Sequence, residues 1–519
     1  MAENVLEYNL MNFIKSIFLR HRGHAPLLAG LLLIAPVFFF QGFRYSIPLG
    51  YAGMFTQMAE QIANGNFSLP MEIPHYGPGG IPFVYPPLAM YLFAVAIKLG
   101  LSIWAYLRLV PAVFSLLAFI PFYYLTRELT GSKIAASVAM ILAATAPTIY
   151  HTHVWSAGIV RGLALGLCFA GLLFYLRAIR QFSRRDIVLS GIFLGLLLMT
   201  HLLYVAFAAL VGISFLFSEW KPRRVLTSLG ILLLALLIAS PWLGVIVARH
   251  GLQSLMAASS SHRNTDFFAM LFQDAGAALG FLADNLSHVT DNWFLAALAL
   301  PGLILLLAQR KFQLPLAFIL ALVMGEASIF LPILAGMIAG AFSAQIFTWA
   351  AERVEKKRTA LALITYASLL IVVVSASLLS AATGLVTISR YEPEIDVYSL
   401  KMAKFVQEET SLDKTYLYIG KINEAEWFPY LLDRTPVFAL WGSEWKGIYA
   451  EQLQILVDLR DCQVQKDWAC MESLQQTQNV SPGLLIGPNQ RWLVLQIKET
   501  RQWDVIYADE RYLVWERRK

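Results

Sequence analysis

The chain has 519 residues, of which 58% are hydrophobic and only 14% charged, with a mean hydropathy of +0.59. A soluble globular domain carries about 25% charged residues, so an ordinary soluble protein is excluded. The net charge of +6 implies no nucleic-acid partner, because the basic residues gather in short loops between apolar runs, where anionic lipid and the positive-inside rule account for them.

Crossing a bilayer takes roughly 17–25 apolar residues per helix. In chain order such runs fall at 25–42, 82–99, 104–126, 133–150, 158–177, 186–201, 202–218, 225–249, 293–308, 313–331, 332–350 and 360–388. They predict a mostly α, polytopic membrane helix bundle of about eleven to thirteen spans over 25–389, followed by a small extracytoplasmic α/β domain over 390–519. Residues 1–24 form a basic leader (Lys15, Arg20, Arg22), and no small-residue cleavage site precedes Phe38-Phe39-Phe40. An uncleaved first span with a cytoplasmic N-terminus is therefore expected.

Four basic loops should share that side: Arg177 to Arg185, Lys221 to Arg224, Arg310-Lys311 and Arg353 to Arg358. The loops 41–81 and 250–292 and the C-terminal domain then lie outside. Counting spans from the N-terminus misses this arrangement by one crossing, so the short run 82–99 is expected to sit in the interface or dip without crossing. Thr200-His201 interrupts 186–218, leaving His201 either to cap a bend or to face a cavity.

Within the first loop, Met54, Phe55, Met58 and Ile62 share one side of a helical stretch and Gln57, Glu60 and Asn64 the other. This predicts an amphipathic helix lying in the headgroup plane and ended by Gly65. A Pro- and Gly-rich turn, Pro74 to Gly80, leads to Tyr85-Pro86-Pro87-Leu88. In the tail, helices are read at Asp396–Thr410, Ala425–Leu432 and Tyr449–Leu459, and strands at Thr415–Gly420, Val437–Trp441, Trp492–Ile497 and Tyr512–Glu516. Cys168 reads as a packing residue inside an apolar helix. Cys462 and Cys470 lie close together in the external tail, where a disulfide between them would persist. No Gly-rich nucleotide cradle or HExxH metal pair is present.

The order of these parts carries a family resemblance: an interfacial helix ending in Asn64-Gly65, a turn-rich loop, Tyr85-Pro86-Pro87-Leu88 opening a helix, Arg108 starting the next, then Tyr124 to Gly131. It resembles the C-type (GT-C) glycosyltransferases, in particular the protein mannosyltransferase and aminoarabinose transferase-like superfamily. The resemblance implies transfer of a sugar from a polyprenyl-phosphate-linked donor in the lipid bilayer to a glycan, lipid or protein acceptor on the external face. In that family an Asp or Asp-Glu opens the first loop as the catalytic acid; here those positions are Gly50 and Tyr51.

A transferase then needs a carboxylate from elsewhere as general base and cations for the leaving phosphate. Glu60, Glu72 and Asp266 are the candidate catalytic carboxylates. Arg44, Arg161, His262 and Arg263 are candidate cations, with His75, Tyr85, His151 and His153 as further substrate contacts. Each also has a plain reading as a solvated loop residue. Glu326, in the middle of an apolar run, is costly there and is either functional or paired with Gln345 or an Arg. In the tail, Glu444-Trp445 and the segment Glu424 to Leu431 place aromatic rings beside carboxylates, a pairing that suits sugars and equally suits core packing. No cofactor is expected; a divalent metal is left open, with no ligand set legible for one. Two other classes stand beside the enzyme: a catalytically silent relative that binds or scaffolds, favoured by Gly50 and Tyr51, and a transporter of lipid-linked sugars, which would show inverted repeats.

Overall fold

The structure, a computed structural model, describes residues 24–217, 220–261, 267–324, 329–357 and 360–518. The candidates His262, Arg263, Asp266 and Glu326, and the leader up to residue 23, lie outside them.

The helical part runs α1 (Ala25–Arg44), α2 (Gly53–Asn64), a short β1–β2 hairpin (Glu72–Ile73, Ile81–Pro82), α3 (Leu88–Lys98), α4 (Ile103–Thr130), α5 (Lys133–Ala144), α6 (Pro147–His153), α7 (Gly158–Gln181), α8 (Arg184–Leu198) and α9 (Leu202–Phe217). It continues with α10 (Pro222–His250), α11 (Gln253–Ser261), α12 (Phe267–Gln273), α13 (Ala275–Thr290), α14 (Trp293–Ala308), α15 (Gln313–Leu322), α16 (Leu331–Lys357) and α17 (Ala360–Ile388). Helix starts follow the sequence chemistry: Ser102, Ser132, Ser183, Asp274 and Asn292 each accept a backbone N–H of the first turn, satisfying donors that the helix itself cannot.

The chain is a multi-pass integral membrane protein. Six helices (α1, α4, α7, α10, α16 and α17) are long and apolar enough to cross a membrane, or up to eight spans if the bent pairs α5–α6 and α13–α14 each count as one. That is fewer than the eleven to thirteen apolar runs suggest. The difference lies in runs that are hydrophobic but short: α3, α9 and α15 have 11, 16 and 10 residues. At about 1.5 Å per residue, α3 reaches only half of a hydrocarbon core about 30 Å thick.

One close helix crossing is built from small residues. On α16, Gly336 and Gly340 lie against Ala139 and Ala143, and against Ala135 and Ala139, of α5; a Cβ at Gly336 would stand 2.9 Å from the Ala139 carbonyl oxygen. Small residues four apart let two backbones approach closely in a membrane. Gly340→Val is expected to force these helices apart and cost about 1–3 kcal/mol, read as a thermal midpoint several degrees lower in detergent with the circular-dichroism helix signal unchanged.

The tail forms α18 (Val397–Glu409), β3 (Tyr416–Tyr418), α19 (Ile422–Ala425), α20 (Phe428–Leu432), a 3-10 turn at Ser443–Lys446, α21 (Tyr449–Gln465), α22 (Trp468–Thr477), β4 (Leu484–Pro488), α23 (Arg491–Thr500), β5 (Trp503–Ala508) and β6 (Tyr512–Arg517). The sheet order is β3-β4-β6-β5, with β3 and β4 parallel and the other pairs antiparallel. Two of the expected strands are corrected. Val437–Trp441 is not a strand: the bridge to Tyr416 is made by Pro436, and Val437 adds one N–H to the Tyr416 carbonyl before the chain turns. Trp492–Ile497 lies in the helix α23, because Leu493 and Ile497, one turn apart, are the residues it buries. Cys462 and Cys470 are disulfide-bonded across the α21–α22 turn, with Cα atoms 5.6 Å apart.

Helix α2 also differs from expectation. It is amphipathic, but it does not lie bare in the headgroup plane. Its apolar and much of its polar surface, Gln57 included, is buried, with α3 on one side and the tail helix α20 on the other. The α2 N-terminus is held by the tail: the Glu426 carboxylate accepts the Gly53 N–H at 2.9 Å and the Met54 N–H at 2.8 Å. A carboxylate on those orphan donors complements the positive end of the helix. The first loop and the tail therefore pack as one body.

Candidate functional site

The first loop turns at Gly50, whose φ of +74° is open to glycine and strained for other residues. A Cβ there would also stand 2.8 Å from the Trp155 ring. The turn is clamped from two sides. Ser156 donates its N–H and hydroxyl to the Leu49 carbonyl at 3.0 and 2.7 Å, and the Trp427 indole donates to the Gly50 carbonyl at 2.8 Å. An acid at position 50 would therefore be both strained and blocked. Tyr51 follows, its ring 4.4 Å from that of Trp441, with the Arg161 guanidinium 5.9 Å from its centre.

Arg161 sits in the first turn of α7, and the glycines around it set where it emerges. A side chain at Gly158 would run into the His153 carbonyl, and one at Gly162 would meet the Ser115 hydroxyl at 2.6 Å. These two bare positions seat α7 against α4 and the end of α6. Arg161 is half-buried, and its charge reaches His151, His153 and His201. A guanidinium in such a place is worth far more electrostatically than in water.

The candidates separate into two groups. Those linked to the Arg161 region are His151, which feels its charge, and Tyr85 and Trp445, through the ring contacts that lead to His201; Glu444 adjoins Trp445 in the chain. Tyr85 contacts Phe55, His201 and Trp445, with ring centres at 5.3, 6.4 and 5.8 Å. His151 lies on Trp155 at 3.8 Å and is exposed. His201 precedes α9, its carbonyl accepting the Val205 N–H, and its ring faces Tyr85 and Tyr204.

The others are structural in their contacts. His153 is buried between the Ile149 carbonyl at 2.9 Å and the Tyr204 hydroxyl at 2.6 Å. Glu60 accepts the Tyr430 hydroxyl at 3.2 Å, and burial raises its pKa above the ordinary carboxylate value. His75 meets Thr435 at 2.8 Å and Asp433 at 3.2 Å, and burial holds its pKa below the usual value despite that Asp. Both residues join the first loop to the tail. Glu72 is exposed on β1. Arg44 donates to the Ser389 carbonyl at 2.6 Å, tying α1 to α17.

Glu444, read from the sequence only as a candidate sugar contact, is held against the first loop by the fold of its turn. It lies in the 3-10 turn between Gly442 and Gly447, both at positive φ. That turn is pinned to the first loop, since the Trp441 carbonyl accepts the Gly77 N–H at 3.0 Å and Lys446 donates to the Pro78 carbonyl at 2.7 Å. Helix α11, from the second long loop, packs against the same turn. Glu444 is half-buried, and burial lifts its pKa to about 7, outweighing the backbone N–H groups of Glu444 and Gly442. Glu426 is lifted to about 7 by the same cause, but both of its oxygens are spent on the α2 N-terminus. Among the described residues no group of three His, Cys, Asp or Glu side chains converges as a metal site.

This architecture has known counterparts. Residues 84–244 match the family model described as dolichyl-phosphate-mannose-protein mannosyltransferase. Among solved structures, ArnT from Cupriavidus metallidurans bound to undecaprenyl phosphate superimposes with a TM-score of 0.55 at 14% identity, covering 95% of this chain and 98% of that one. The apo oligosaccharyltransferase of Archaeoglobus fulgidus gives a TM-score of 0.57 at 15% identity, covering 91% of this chain and 70% of that one. A search of curated protein sequences returns no match. The fold is that of the GT-C type polytopic membrane glycosyltransferases.

Proposed function

We propose that the protein transfers a sugar from a polyprenyl-phosphate-linked donor to an acceptor, with Arg161 binding the lipid phosphate and Glu444 acting as general base in place of the missing loop acid. The observation that carries this reading is Glu444 itself. It is a carboxylate with a pKa of about 7, next to Trp445, which packs on Tyr85, which in turn faces His201 beside Arg161. A base whose pKa lies near the working pH is well matched to accept an acceptor hydroxyl proton. The ring faces of Tyr85, Trp445 and Tyr51 suit the apolar face of a sugar. As the hydroxyl oxygen attacks the anomeric carbon, its proton passes to Glu444, the bond to the phosphate oxygen breaks, and the negative charge left on the polyprenyl phosphate falls to Arg161.

The proposed orientation puts the N-terminus in the cytoplasm and the first loop and tail outside. If α3 does not cross, then α1 leads out, α4 back, the bent pair α5–α6 out and α7 back. The basic cluster Arg177 to Arg185 then lies with the leader, as the positive-inside rule favours. The Arg177–Glu128 ion pair at 3.1 Å supports this, since it places the ends of α4 and α7 together.

The test is transfer of radiolabel from a polyprenyl-phosphate sugar by the purified protein in detergent. Arg161→Met is expected to lower kcat roughly 10²–10³-fold, the scale of losing one stabiliser of developing negative charge. Arg161→Lys should recover part of the loss. Equal rates in the wild type and Arg161→Met would remove Arg161 from the site.

A second reading is a silent relative that keeps the fold for binding. What favours it is the plugged acid position: Gly50 is walled by Trp155 and Trp427, and Tyr51 packs in a tilted contact on Trp441.

A further inference from the structure

The tail holds a cavity of about 900 Å³, at the upper end of the size range for small-ligand sites. It opens where the parallel strands β3 and β4 end, lined there by Gly420 and Lys421 on one side and Pro488 and Gln490 on the other. In α/β sheets the crevice beyond the carboxyl ends of parallel strands is where ligands bind, because the strand-to-helix loops diverge there.

The cavity floor is a fixed polar network. Glu424 is 3% exposed and accepts the hydroxyls of Tyr418 and Tyr512 and the Arg511 guanidinium at 2.7 Å. Arg511 also binds Asp396 at 2.5 Å. The Glu424 carboxylate is thus paired and oriented by its neighbours. Gly420 is required by this arrangement, since a Cβ there would collide with the Tyr418 hydroxyl.

Above the floor the walls combine two features. Trp441 and Trp492 line the cavity, and the Trp492 indole is oriented by the Gln490 side chain at 2.7 Å. Four cations, Lys421, Arg460, Lys466 and Arg511, line the cavity against two carboxylates, Glu394 and Glu424, and Lys421 and Arg460 are exposed at the surface. Flat aromatic faces beside amide side chains suit a ring of hydroxyls with one apolar face, and the excess of cations suits a ligand with negative charge.

We propose that this cavity binds an acidic saccharide, a short glycan carrying carboxylate groups. Trp441 forms part of its wall and its ring also packs on that of Tyr51, so a bound glycan lies next to the first loop. That it is the acceptor of transfer rests on the glycosyltransferase reading; the binding itself does not.

The test is isothermal titration of the full-length protein in detergent with hyaluronan tetrasaccharide and trigalacturonate as acidic probes and chitotetraose as the neutral one, without any donor. The expected result is saturable binding of the acidic probes, at least tenfold weaker binding of chitotetraose, and at least tenfold weaker acidic-probe binding in the double variant Lys421→Gln/Arg460→Gln. Both substituted residues are exposed, so the fold should be unaffected. Trp492→Ala should weaken both kinds of probe. No binding of either acidic probe, equal affinity for acidic and neutral probes, or affinity unmoved by the double variant overturns the proposal. Because no donor is present, a protein that binds but does not transfer keeps this site and loses only the transferase reading.

Discussion

Glu444→Gln is expected to lower kcat for sugar transfer by roughly 10²–10⁴-fold, the usual contribution of a positioned general base, with the protein still folded. Gln keeps the size and the backbone hydrogen bonds but cannot accept a proton. The same residue sets the pH profile. With its carboxyl at about 7, the active ionised form gains population as pH rises through 7, so kcat should climb between about pH 6 and 8. An ordinary carboxylate, near 4.5, would be fully ionised over that range and give a flat profile. Glu60→Gln and Glu72→Gln should stay within a few-fold of wild type, because Glu60 is bound to Tyr430 and Glu72 faces solvent. A Glu444→Gln enzyme with a wild-type rate and profile would assign the base elsewhere.

The second large effect is on stability. Glu426→Ala removes the carboxylate that accepts the Gly53 and Met54 N–H groups and leaves two buried donors unpaired, at a cost of about 1–3 kcal/mol each. The expected result is a markedly lower thermal midpoint and faster proteolysis of the tail, since this contact joins the tail to the first loop. The sign of the pH dependence follows from the raised pKa. Between about 4.5 and 7 the folded state holds a proton that the unfolded state has lost, so wild-type stability should fall as pH rises through that window and then level off. Glu444 adds a slope of the same sign. Unfolding of wild type, Glu426→Ala and Glu444→Gln by intrinsic fluorescence at pH 5, 6, 7 and 8 separates them: each variant should lose part of the slope. A wild type that gains stability from pH 5 to 7 would contradict the buried state of both carboxylates.

Much of the fold was legible because bilayer physics writes it into composition. The long apolar runs at 25–42, 104–126, 158–177, 225–249, 332–350 and 360–388 became helices of spanning length, and Gly65 marks the end of α2. The apolar run at 82–99 holds only the 11-residue helix α3. Strand assignments in the tail were weaker. Trp492 to Ile497 has strand-like composition, and only its one-turn pairing of Leu493 with Ile497 against the sheet makes it a helix.

The candidate site was half legible. Tyr85 belongs to the segments whose order carries the family resemblance, and Arg161 stands out as a cation at the start of an apolar helix. The part that was not legible depends on long-range packing. Nothing local shows that Trp441 to Lys446 folds back onto Gly77 and Pro78, or that Glu426 caps a helix near the start of the chain. The loop sequence offers Glu60, Glu72 and Asp266 as carboxylates and His75 as a contact; Glu60 and His75 are the loop's attachments to Tyr430, Thr435 and Asp433. The departure at Gly50 also gains a physical meaning. The turn there needs a positive φ, and Trp155 leaves no room for an acid.

The central claim is that this chain forms a glycosidic bond without an acid at Gly50 or Tyr51. The most direct measurement incubates the purified protein in proteoliposomes with a radiolabelled polyprenyl-phosphate sugar and an acidic oligosaccharide, and follows both products. The account predicts label appearing in the oligosaccharide together with an equal amount of free polyprenyl phosphate, both abolished in Glu444→Gln. Label that stays on the lipid in wild type and variant alike would contradict it and leave a GT-C fold used for binding alone.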